Sequence, residues 1–369
     1  MIFNQQPSAQ CGAKSPMIYQ FYDSLYSSTG FYYQCDVYVW SGTTTLPGSP
    51  NWTINRKPDQ YENGRAWIDI HKLVEQMLTE DYLINGTYKP NIGNGAMRVA
   101  VKVRGVYYVG STLTYTAYAT SNVVLATLGY AYTSEGFNHG INKVVYTDKT
   151  QVTMTSETTS AYLWYDATVV TSITCGSATV TPNTVTGSAT TIQGIELVQL
   201  MSAGGVSGNT SVTFVKSGDD ITIPINIVCQ NKYGQEDVLF LNKYGVYDSF
   251  LFNGVHKSSY AVSSELYQQP IYKQTDLTQA WTYGVGITTP YLTNSVQTMT
   301  VNTDWITEND VSVVEQMFYS SNVLVNGPQV LSTRIVDSTF EYKTRLNEKL
   351  ILYTIQMEYN QPKINKIVR

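Results

Sequence analysis

Alternation of apolar and polar residues with a period of two is the main pattern along this chain, and it predicts β-strands. Successive side chains of a strand point to opposite faces, so this alternation is typical of strands with one buried face. The runs of eight or more residues with this pattern are 31–40, 97–104, 221–230 and 350–359. Asn-Gly dipeptides supply the positive φ that tight turns need, and they lie between these runs. They begin at Asn63, Asn85, Asn94, Asn253 and Asn326.

Two segments show a helical period instead. The first follows Asp69, a residue type suited to an N-cap, and predicts a core-facing amphipathic helix over 70–80. Its apolar stripe consists of Ile70, Leu73, Val74, Met77 and Leu78. The second helix is predicted over 307–319, with Thr307 as N-cap and Asp310 completing a variant of the capping box.

The two predicted helices share the residues Val-Glu-Gln-Met. These occur within 73–78 and 313–318, hexapeptides that otherwise differ only in their first and last residues. A tandem duplication of a β-sandwich crossed by one helix would produce this repeat, and so would coincidence between helices of similar composition. Under duplication, the two helices occupy equivalent places in two superposable domains.

At 369 residues the chain is long enough for two or three domains. We expect a mainly β fold with two sandwich-like domains, residues 1–125 and 216–369, each containing one of the amphipathic helices. Between them, residues 126–215 are expected to form a β-rich region of Thr and Ser. Within it, 151–215 has only three charged residues, and its β-branched content favours strands over a Ser/Thr-rich linker.

The charged fraction changes the expected character of the surface. Only 14% of the residues are charged, against roughly 25% in an average soluble domain. The chain also contains thirty tyrosines, which are enriched at protein interfaces because they combine a wide contact area with a polar tip. These values predict a surface that meets other proteins. The alternative is a general preference of β-structure and of an AT-rich genome for Tyr, Asn and Thr.

Net charge and hydropathy exclude several classes of partner. A net charge of -5 argues against a nucleic-acid scaffold, which would carry a basic stripe. Arg98, Lys102 and Arg104 form a basic row on one strand face, expected to be solvated or to protect an edge strand rather than to contact phosphates. No basic segment with a following apolar run opens the chain, and no 18 consecutive apolar residues occur. We therefore expect neither a secretory signal nor a membrane span.

No catalytic or metal-binding pattern is evident. The four cysteines lack C-x-x-C spacing, the three histidines lack metal-ligand spacing, and no G-x-S-x-G motif occurs. Cys35 and Cys229 alternate with apolar residues and are expected to be reduced and buried. Asp219, Asp220 and the acidic residues of 304–310 are expected to serve a turn and a helix N-terminus rather than a glycosidase. We therefore expect no enzymatic activity, no metal and no cofactor.

The most informative segment is 240–254, FLNKYGVYDSFLFNG. Its aromatic residues have neither a helical nor a strict strand period, which favours a packed turn between strands or a docking surface. We expect it to anchor the C-terminal domain. The candidate packing or interface residues are Tyr244, Tyr247, Phe250, Phe252 and Trp305.

The same segment takes part in a resemblance that covers most of the chain. Together with 304–325, with 335–359 and with the motif PMIYQFYDS from Pro16, it resembles structural proteins of tailed phages that infect Bacteroidota, including crAss-like phages. The Thr/Ser-rich middle region has no counterpart in this resemblance. The resemblance implies a virion component of the tail or the head-to-tail region, without enzymatic activity or cofactor.

We therefore expect copies of this chain to form a ring that docks on neighbouring virion proteins, in a particle made in the host bacterial cytoplasm. A head-to-tail contact must close into a ring or it extends into a filament. Neither a membrane nor a sequence-specific nucleic acid is an expected partner. The alternative is a carbohydrate-binding host-attachment protein of the virion, in which tryptophans stack on sugars. Its candidate residues are Trp40, Trp52, Trp164 and Trp281.

Overall fold

The structure is a computed structural model with a mainly β fold. Among the described residues, strands make up 52% and helices 9%, which confirms the predicted fold class. The residues that the structure describes are 1–42, 45–59, 61–80, 88–89, 95–155, 158, 161–182, 192–229, 234–268, 272–275, 278–281, 288–303, 305–307, 310–326, 330–337, 350–361 and 363–366.

The chain divides into two compact units. The large unit consists of Met1–Cys229, Leu239–Phe250 and Ser312–Ser321. The small unit consists of Gln230–Val238, Leu251–Val311 and Asn322–Arg369. The Thr/Ser-rich region 126–215 therefore falls entirely within the large unit. The division into three regions at residues 125 and 215 stays a prediction.

The large unit contains eighteen complete strands in its described part. They are β1 (Ile2–Gln5), β2 (Gln10–Gly12), β3 (Ile18–Tyr22), β4 (Tyr32–Trp40), β5 (Trp52–Arg56), β6 (Ala66–Asp69), β7 (Tyr88–Lys89), β8 (Ala96–Val109), β9 (Thr112–Tyr115), β10 (Ala119–Thr120), β11 (Val124–Thr127), β12 (Val152–Met154), β13 (Tyr162–Asp166), β14 (Val170–Cys175), β15 (Ala178–Val180), β16 (Ile192–Glu196), β17 (Thr210–Lys216) and β18 (Ile221–Ile227). Its sheets have the strand orders β1-β3-β6, β2-β11-β8-β4-β5, β12-β18-β17-β14-β15 and β13-β16-β7, and β9 and β10 also pair with β8.

Two further strands contribute residues to both units, and the small unit contains the rest. The shared strands are β19 (Glu236–Leu241) and β20 (Tyr247–Phe252). The strands of the small unit are β21 (Lys257–Gln268), β22 (Tyr272–Thr275), β23 (Thr278–Trp281), β24 (Thr288–Asn302), β25 (Ile306–Thr307), β26 (Val323–Asn326), β27 (Val330–Ile335), β28 (Leu350–Ile351), β29 (Thr354–Tyr359) and β30 (Lys363–Lys366). Its main sheet has the order β26-β27-β29-β24-β21, with β30 also paired to β24, and β22-β23 and β25-β28 form two-stranded pairs.

Three of the four strands predicted from alternation occur, as β4, β8 and β18, whereas 350–359 is divided into β28 and β29, which lie in different sheets. In β4, every second residue from Tyr33 to Val39 is buried and lies opposite a residue of β8, although Asp36, Tyr38 and Trp40 on the other face are buried too. The paired residues are Tyr33 with Gly105, Cys35 with Val103, Val37 with Val101 and Val39 with Val99. This face of the two strands is therefore core, as a period of two predicts.

The basic row of β8 does not protect a sheet edge, because β8 is an internal strand. The Lys102 ammonium lies 5.4 Å from the ring centre of Tyr38, and the Arg104 guanidinium lies 4.1 Å from that of Tyr115. Both are cation–π distances. Arg104 also donates to Oε1 of Gln34, with its terminal nitrogen at 3.0 Å. The row is thus half-buried against aromatic rings of its own sheet, and the edge-strand interpretation was wrong.

The Thr/Ser-rich region contains strands β12 to β17 and is not a linker. The sheet of β12, β14, β15, β17 and β18 shares one hydrophobic core with β13, β16 and α2 (Leu197–Ala203). Glu196 caps α2, since its carboxylate accepts from the N–H groups of Val198 at 3.1 Å and Gln199 at 2.7 Å. Cys229, by contrast, is exposed. It lies beyond the end of β18 at Ile227, so the strand alternation that predicted its burial no longer applies.

The two amphipathic helices are shorter than predicted. The first is α1 (His71–Glu75), after which the chain continues in tighter turns, with the Leu78 N–H donating to Glu75 O at 3.2 Å. The second is α3 (Val311–Tyr319). It is preceded by the predicted pair, in which Thr307 Oγ1 donates to Asp310 Oδ2 at 2.7 Å. Both Val-Glu-Gln-Met sequences lie in the large unit, so they are not divided between two units as the duplication hypothesis requires.

One Asn-Gly turn is confirmed. Asn63 and Gly64 have φ of 53° and 79°, the left-handed conformation expected there. Asn253 and Gly254 do not have positive φ. The dipeptides at Asn85, Asn94 and Asn326 lie wholly or partly outside the described residues. No helix in the described ranges is long and apolar enough to cross a membrane.

Candidate functional site

The aromatic segment 240–254 contains the turn between β19 and β20. The Asn242 N–H donates to Val246 O at 3.0 Å, and the Gly245 N–H donates to Asn242 O at 3.0 Å. Oδ1 of Asn242 accepts from the N–H of Tyr244 at 3.0 Å. Gly245 has a φ of 80°, which glycine adopts without steric cost. The segment is therefore a packed turn, one of the two interpretations that the sequence left open.

The five candidate residues differ in burial. Tyr244, Tyr247 and Phe252 are buried, and Phe250 is half-buried. Trp305 is 53% exposed. The first four side chains are thus placed for packing inside the protein, whereas about half of the Trp305 side chain faces solvent.

Two backbone segments pass unusually close to each other at the turn. A Cβ on Gly245 would lie 2.3 Å from the nitrogen of Gly129, and a Cβ on Gly129 would lie 2.6 Å from the carbonyl oxygen of Lys243. That oxygen accepts from the N–H of Tyr130 at 2.9 Å. Glycine is needed at both positions because any side chain would occupy the space of the opposing backbone.

Side chains complete the hydrogen bonding of the turn. Oγ1 of Thr127 donates to Tyr244 O at 2.8 Å and accepts from the N–H of Gly129 at 3.2 Å. Nδ2 of Asn242 donates to Tyr146 O at 2.8 Å. A buried polar group without a partner costs about 1–3 kcal/mol, so these bonds help to determine where the turn docks.

Asp148 is the centre of a polar cluster at the turn. Its Oδ1 accepts from the Tyr244 hydroxyl at 2.6 Å and from Lys143 Nζ at 2.9 Å, and its Oδ2 accepts from Gln316 Nε2 at 2.7 Å. Gln316 Oε1 in turn accepts from the N–H of Lys243 at 3.2 Å. One carboxylate thereby connects the turn to α3.

The ionisation of this cluster follows from its contacts. Burial acts to raise the pKa of Asp148, but hydrogen bonds from Lys143 and Tyr244 outweigh it and hold the pKa below its ordinary value. Burial, together with the adjoining Asp148 carboxylate, raises the pKa of Tyr244. At neutral pH, Asp148 is thus ionised and Tyr244 is a hydrogen-bond donor.

A buried ion pair ties β20 to the Thr/Ser-rich region. Asp248 Oδ1 lies 2.5 Å from Lys149 Nζ, and the two side chains are 4% and 8% exposed. Asp248 Oδ2 accepts from Thr147 Oγ1 at 2.7 Å, and Lys149 Nζ also donates to the carbonyl of Ser249. A buried charge is stable only when it is paired and hydrogen-bonded, so each group depends on the other.

Tyr247 links the hairpin to two more parts of the large unit. Its carbonyl accepts from Trp164 Nε1 of β13 at 2.9 Å, and its hydroxyl donates to Glu80 Oε2 at 3.0 Å. The hairpin is therefore bonded to strand β13, to the segment after α1, to the segment 127–149 and to α3. We call this set of contacts the hairpin clamp.

The hairpin clamp has no ligand-sized space in the part of the chain that the structure describes. The cavity beside Trp164, Gly245 and Tyr247 has a volume of about 10 Å³, no more than one water molecule needs. No group of three or more His, Cys, Asp or Glu side chains among the described residues is placed to hold a metal ion. The arrangement organises the fold.

A larger cleft lies elsewhere in the large unit. Its volume is about 570 Å³, and its lining includes Tyr26, Tyr32, Asn55 and Arg56. The Arg56 guanidinium lies 5.4 Å from the ring centre of Trp67, which is half exposed. A cleft of this size with aromatic and polar side chains is typical of small-molecule sites.

Most of the tryptophans proposed to stack on sugars are wholly or partly buried. Trp40 and Trp164 are buried, and Trp52 is half-buried. The side chain of Trp281 lies outside the described residues. The half-exposed tryptophans are Trp67 and Trp305, so Trp67, beside the cleft, is the better stacking candidate.

Sequence reasoning missed most of the hairpin clamp. Apart from Lys143, which is five positions from Asp148, the partners of Asp148, Lys149 and Gln316 lie 73 to 168 positions away in the sequence, and no motif connects them. One signal was present, because Asp248 is the only acidic residue among the aromatic residues of 240–254. A charge in such a position requires a buried partner.

Comparisons with known proteins identify no family. No protein-family model and no curated protein matches the chain. Among solved structures, Drosophila OTK extracellular domains 3–5 match at 10% identity and a TM-score of 0.19, over 81% of this chain and 91% of that one. The S-layer protein rSbsC(31–844) matches at 10% identity and a TM-score of 0.18, over 94% of this chain and 40% of that one. Likenesses this weak assign neither a fold family nor a function.

Proposed function

We propose that the protein is a virion structural protein, a repeated subunit of a phage tail or of a head-to-tail connector ring. Its mechanism is adhesive, because subunits associate through protein–protein contacts and no chemical step is involved. The resemblance of 240–254 to phage structural proteins supports this proposal. In this chain the segment is used internally, as the hairpin clamp that stiffens the large unit.

The observation that carries the proposal is the number of large apolar side chains exposed on a charge-poor chain. They include Tyr61, which is 99% exposed, and also Trp305 and Tyr319. Aromatic residues are enriched and charges depleted at the centres of interfaces. Such a surface favours association with neighbouring copies and other virion proteins.

Light scattering coupled to size exclusion tests this proposal. We expect the purified chain, alone or with a neighbouring virion protein, to form species that contain two or more copies of the 41.2 kDa chain. Trp305→Ala should weaken this association, whereas Trp67→Ala, a control of nearly equal exposure, should not. A monomer at every concentration and with every neighbouring protein would contradict the proposal.

The cleft supports a second candidate function, carbohydrate binding by a host-attachment protein. Aromatic rings stack on sugar faces, and Asn55 and Arg56 supply polar groups for hydroxyls. Binding of the purified protein to bacterial surface glycans tests it. Here the two tryptophan variants exchange roles: Trp67→Ala and Tyr32→Ala should abolish binding, and Trp305→Ala should leave it unchanged.

A further inference from the structure

β21 is the edge strand of the small unit's main sheet. Along its length it pairs with β24 on one side, and within the described residues no strand pairs with its other side. Ten consecutive residues, from Lys257 to Leu266, are exposed. The strand therefore offers a row of backbone N–H and C=O groups that another strand can pair with.

The regular part of this edge is limited to nine residues. The β21–β24 register is continuous from Lys257 to Glu265 and shifts between Glu265 and Leu266. A register shift of this kind bends the strand and interrupts pairing. A partner strand can thus pair without distortion only over 257–265.

The usual protections of an edge strand are absent from the middle of this segment. Between Lys257 and Glu265 the sequence is Ser-Ser-Tyr-Ala-Val-Ser-Ser, without a charge or a proline. Tyr260 and Val262 are 52% and 63% exposed. Edge strands that remain unpaired normally carry inward charges, prolines or bulges along their length.

The segment is complementary to itself. When two copies run antiparallel with Ala261 opposite Ala261, Lys257 of each copy lies opposite Glu265 of the other. Tyr260 lies opposite Val262 in the same register, so that the exposed apolar side chains cover one another. Opposite charges and aromatic–β-branched pairs are both favourable cross-strand neighbours.

We propose that β21 pairs with β21 of a second copy of this chain, antiparallel, about a two-fold axis at Ala261. Along a strand, the N–H and C=O groups of successive residues point alternately toward one neighbouring strand and the other. With the two-fold axis at Ala261, the outward-pointing groups of the two copies pair whether they belong to the odd-numbered or to the even-numbered residues. The pair would gain about eight backbone hydrogen bonds. Tyr291 donates to Oε2 of Glu265, which holds the carboxylate on the strand and leaves its other oxygen for Lys257 of the second copy.

This contact is distinct from ring closure. A two-fold contact uses the same patch on both copies and joins them in pairs, whereas a ring needs a head-to-tail contact between different patches. The β21 contact therefore involves one partner, a second copy of the chain, and one surface. The chain can still form a ring through other surfaces when this contact is absent.

Cysteine cross-linking in the full chain tests the register. In a Cys229→Ser background, which removes the exposed native thiol, Ala261→Cys should form a disulfide-linked dimer on mild oxidation, since opposed Cα atoms lie about 4.5–5.5 Å apart. Ser259→Cys is the matched control, because its equivalent in the second copy is four residues away, about 13 Å. A mixture of the Ser259→Cys and Ser263→Cys proteins should cross-link.

We expect Ala261→Cys to cross-link at least about tenfold faster than Ser259→Cys, as the spacing requires. Equal rates, or no cross-linking of Ala261→Cys at concentrations at which the protein associates, would overturn the proposal. In the second case, detection of rings by microscopy would leave the proposed function intact.

Charge exchange supplies an independent test. Lys257→Glu and Glu265→Lys should each raise the dimer dissociation constant about tenfold, because both ends of the symmetric pair become repulsive. The double variant should restore the original value, since it only exchanges the two partners. Sedimentation equilibrium measures the constants. If the double variant associates as weakly as the single variants, the proposed register is contradicted.

Discussion

At the scale of single residues, the stability of the large unit depends on one close backbone contact at a glycine and on two buried carboxylates. Gly245 combines a left-handed φ with a backbone neighbour so close that a methyl group has no space. Asp148 and Asp248 then fix the same hairpin through bonds to distant segments. These positions should be the most sensitive ones in the unit.

Gly245→Ala should lower the free energy of unfolding by at least about 3 kcal/mol, because φ strain and a backbone clash add. Gly110→Ala is the control, since Gly110 also has positive φ but has open space where the alanine methyl group would lie, with no neighbouring atom within 4 Å. It should cost about 1 kcal/mol. Urea denaturation followed by tryptophan fluorescence measures both. Equal losses would show that the close approach to Gly129 is unimportant.

The buried pair should behave as one unit in a double-mutant cycle. Lys149→Met and Asp248→Asn should each cost about 3–5 kcal/mol, because each leaves the partner buried without its counter-charge. The double variant should cost clearly less than the sum of the two. Additive losses in unfolding free energy would mean that the two groups do not interact.

Asp148 should make stability depend on pH. Its pKa is lower in the folded than in the unfolded chain, so its contribution is complete above the ordinary value of 3.8 and is lost as pH falls through the lowered value. Asp148→Asn should therefore cost about 1–3 kcal/mol near pH 7 and progressively less in acid. Exposed Asp219→Asn is the control and should change little. A penalty that is constant with pH would contradict the assignment.

The sequence predicted some of these residues and not others, for a physical reason. The turn around Asn242 and Gly245 follows from local chemistry, because Asn and Gly favour such turns wherever they occur. The partners Asp148 and Gln316 act only after distant segments meet. A polar residue in a loop or on a helix carries no local sign of that contact.

At the scale of elements, strands were predictable and helix lengths were not. Alternation identified β4 and β8 because one face of each is core along most of its length. In α1, the apolar stripe predicted three turns, but the chain leaves the helix at Glu75 while still burying Leu78. Packing rather than helix propensity determines where so short a helix ends.

The aromatic residues of β20 provide a test at this scale. Phe252 is 1% exposed, and Phe252→Ala should cost about 3–5 kcal/mol through lost burial and the cavity that remains. Half-buried Phe250→Ala should cost less, about 1–2 kcal/mol, in proportion to its smaller buried area. Thermal denaturation and the assembly state should be measured together. A loss under about 1 kcal/mol for Phe252→Ala, with assembly abolished, would make the residue an interface side chain instead.

At the scale of the whole molecule, the central claim is that this chain works as a repeated structural subunit. The 14% charged residues, the thirty tyrosines and the exposed aromatic side chains all favour neighbours over solvent. An interface between adjacent subunits should bury at least about 1,200 Å² in total, as specific contacts do.

The most direct test is cryo-electron microscopy of the parent particle, with the copies of this chain counted around the tail axis. The proposal predicts several symmetry-related copies in a closed ring, in contact with one another and with neighbouring virion proteins. A single copy without such contacts, or a purified monomer that cleaves a polysaccharide, would contradict it.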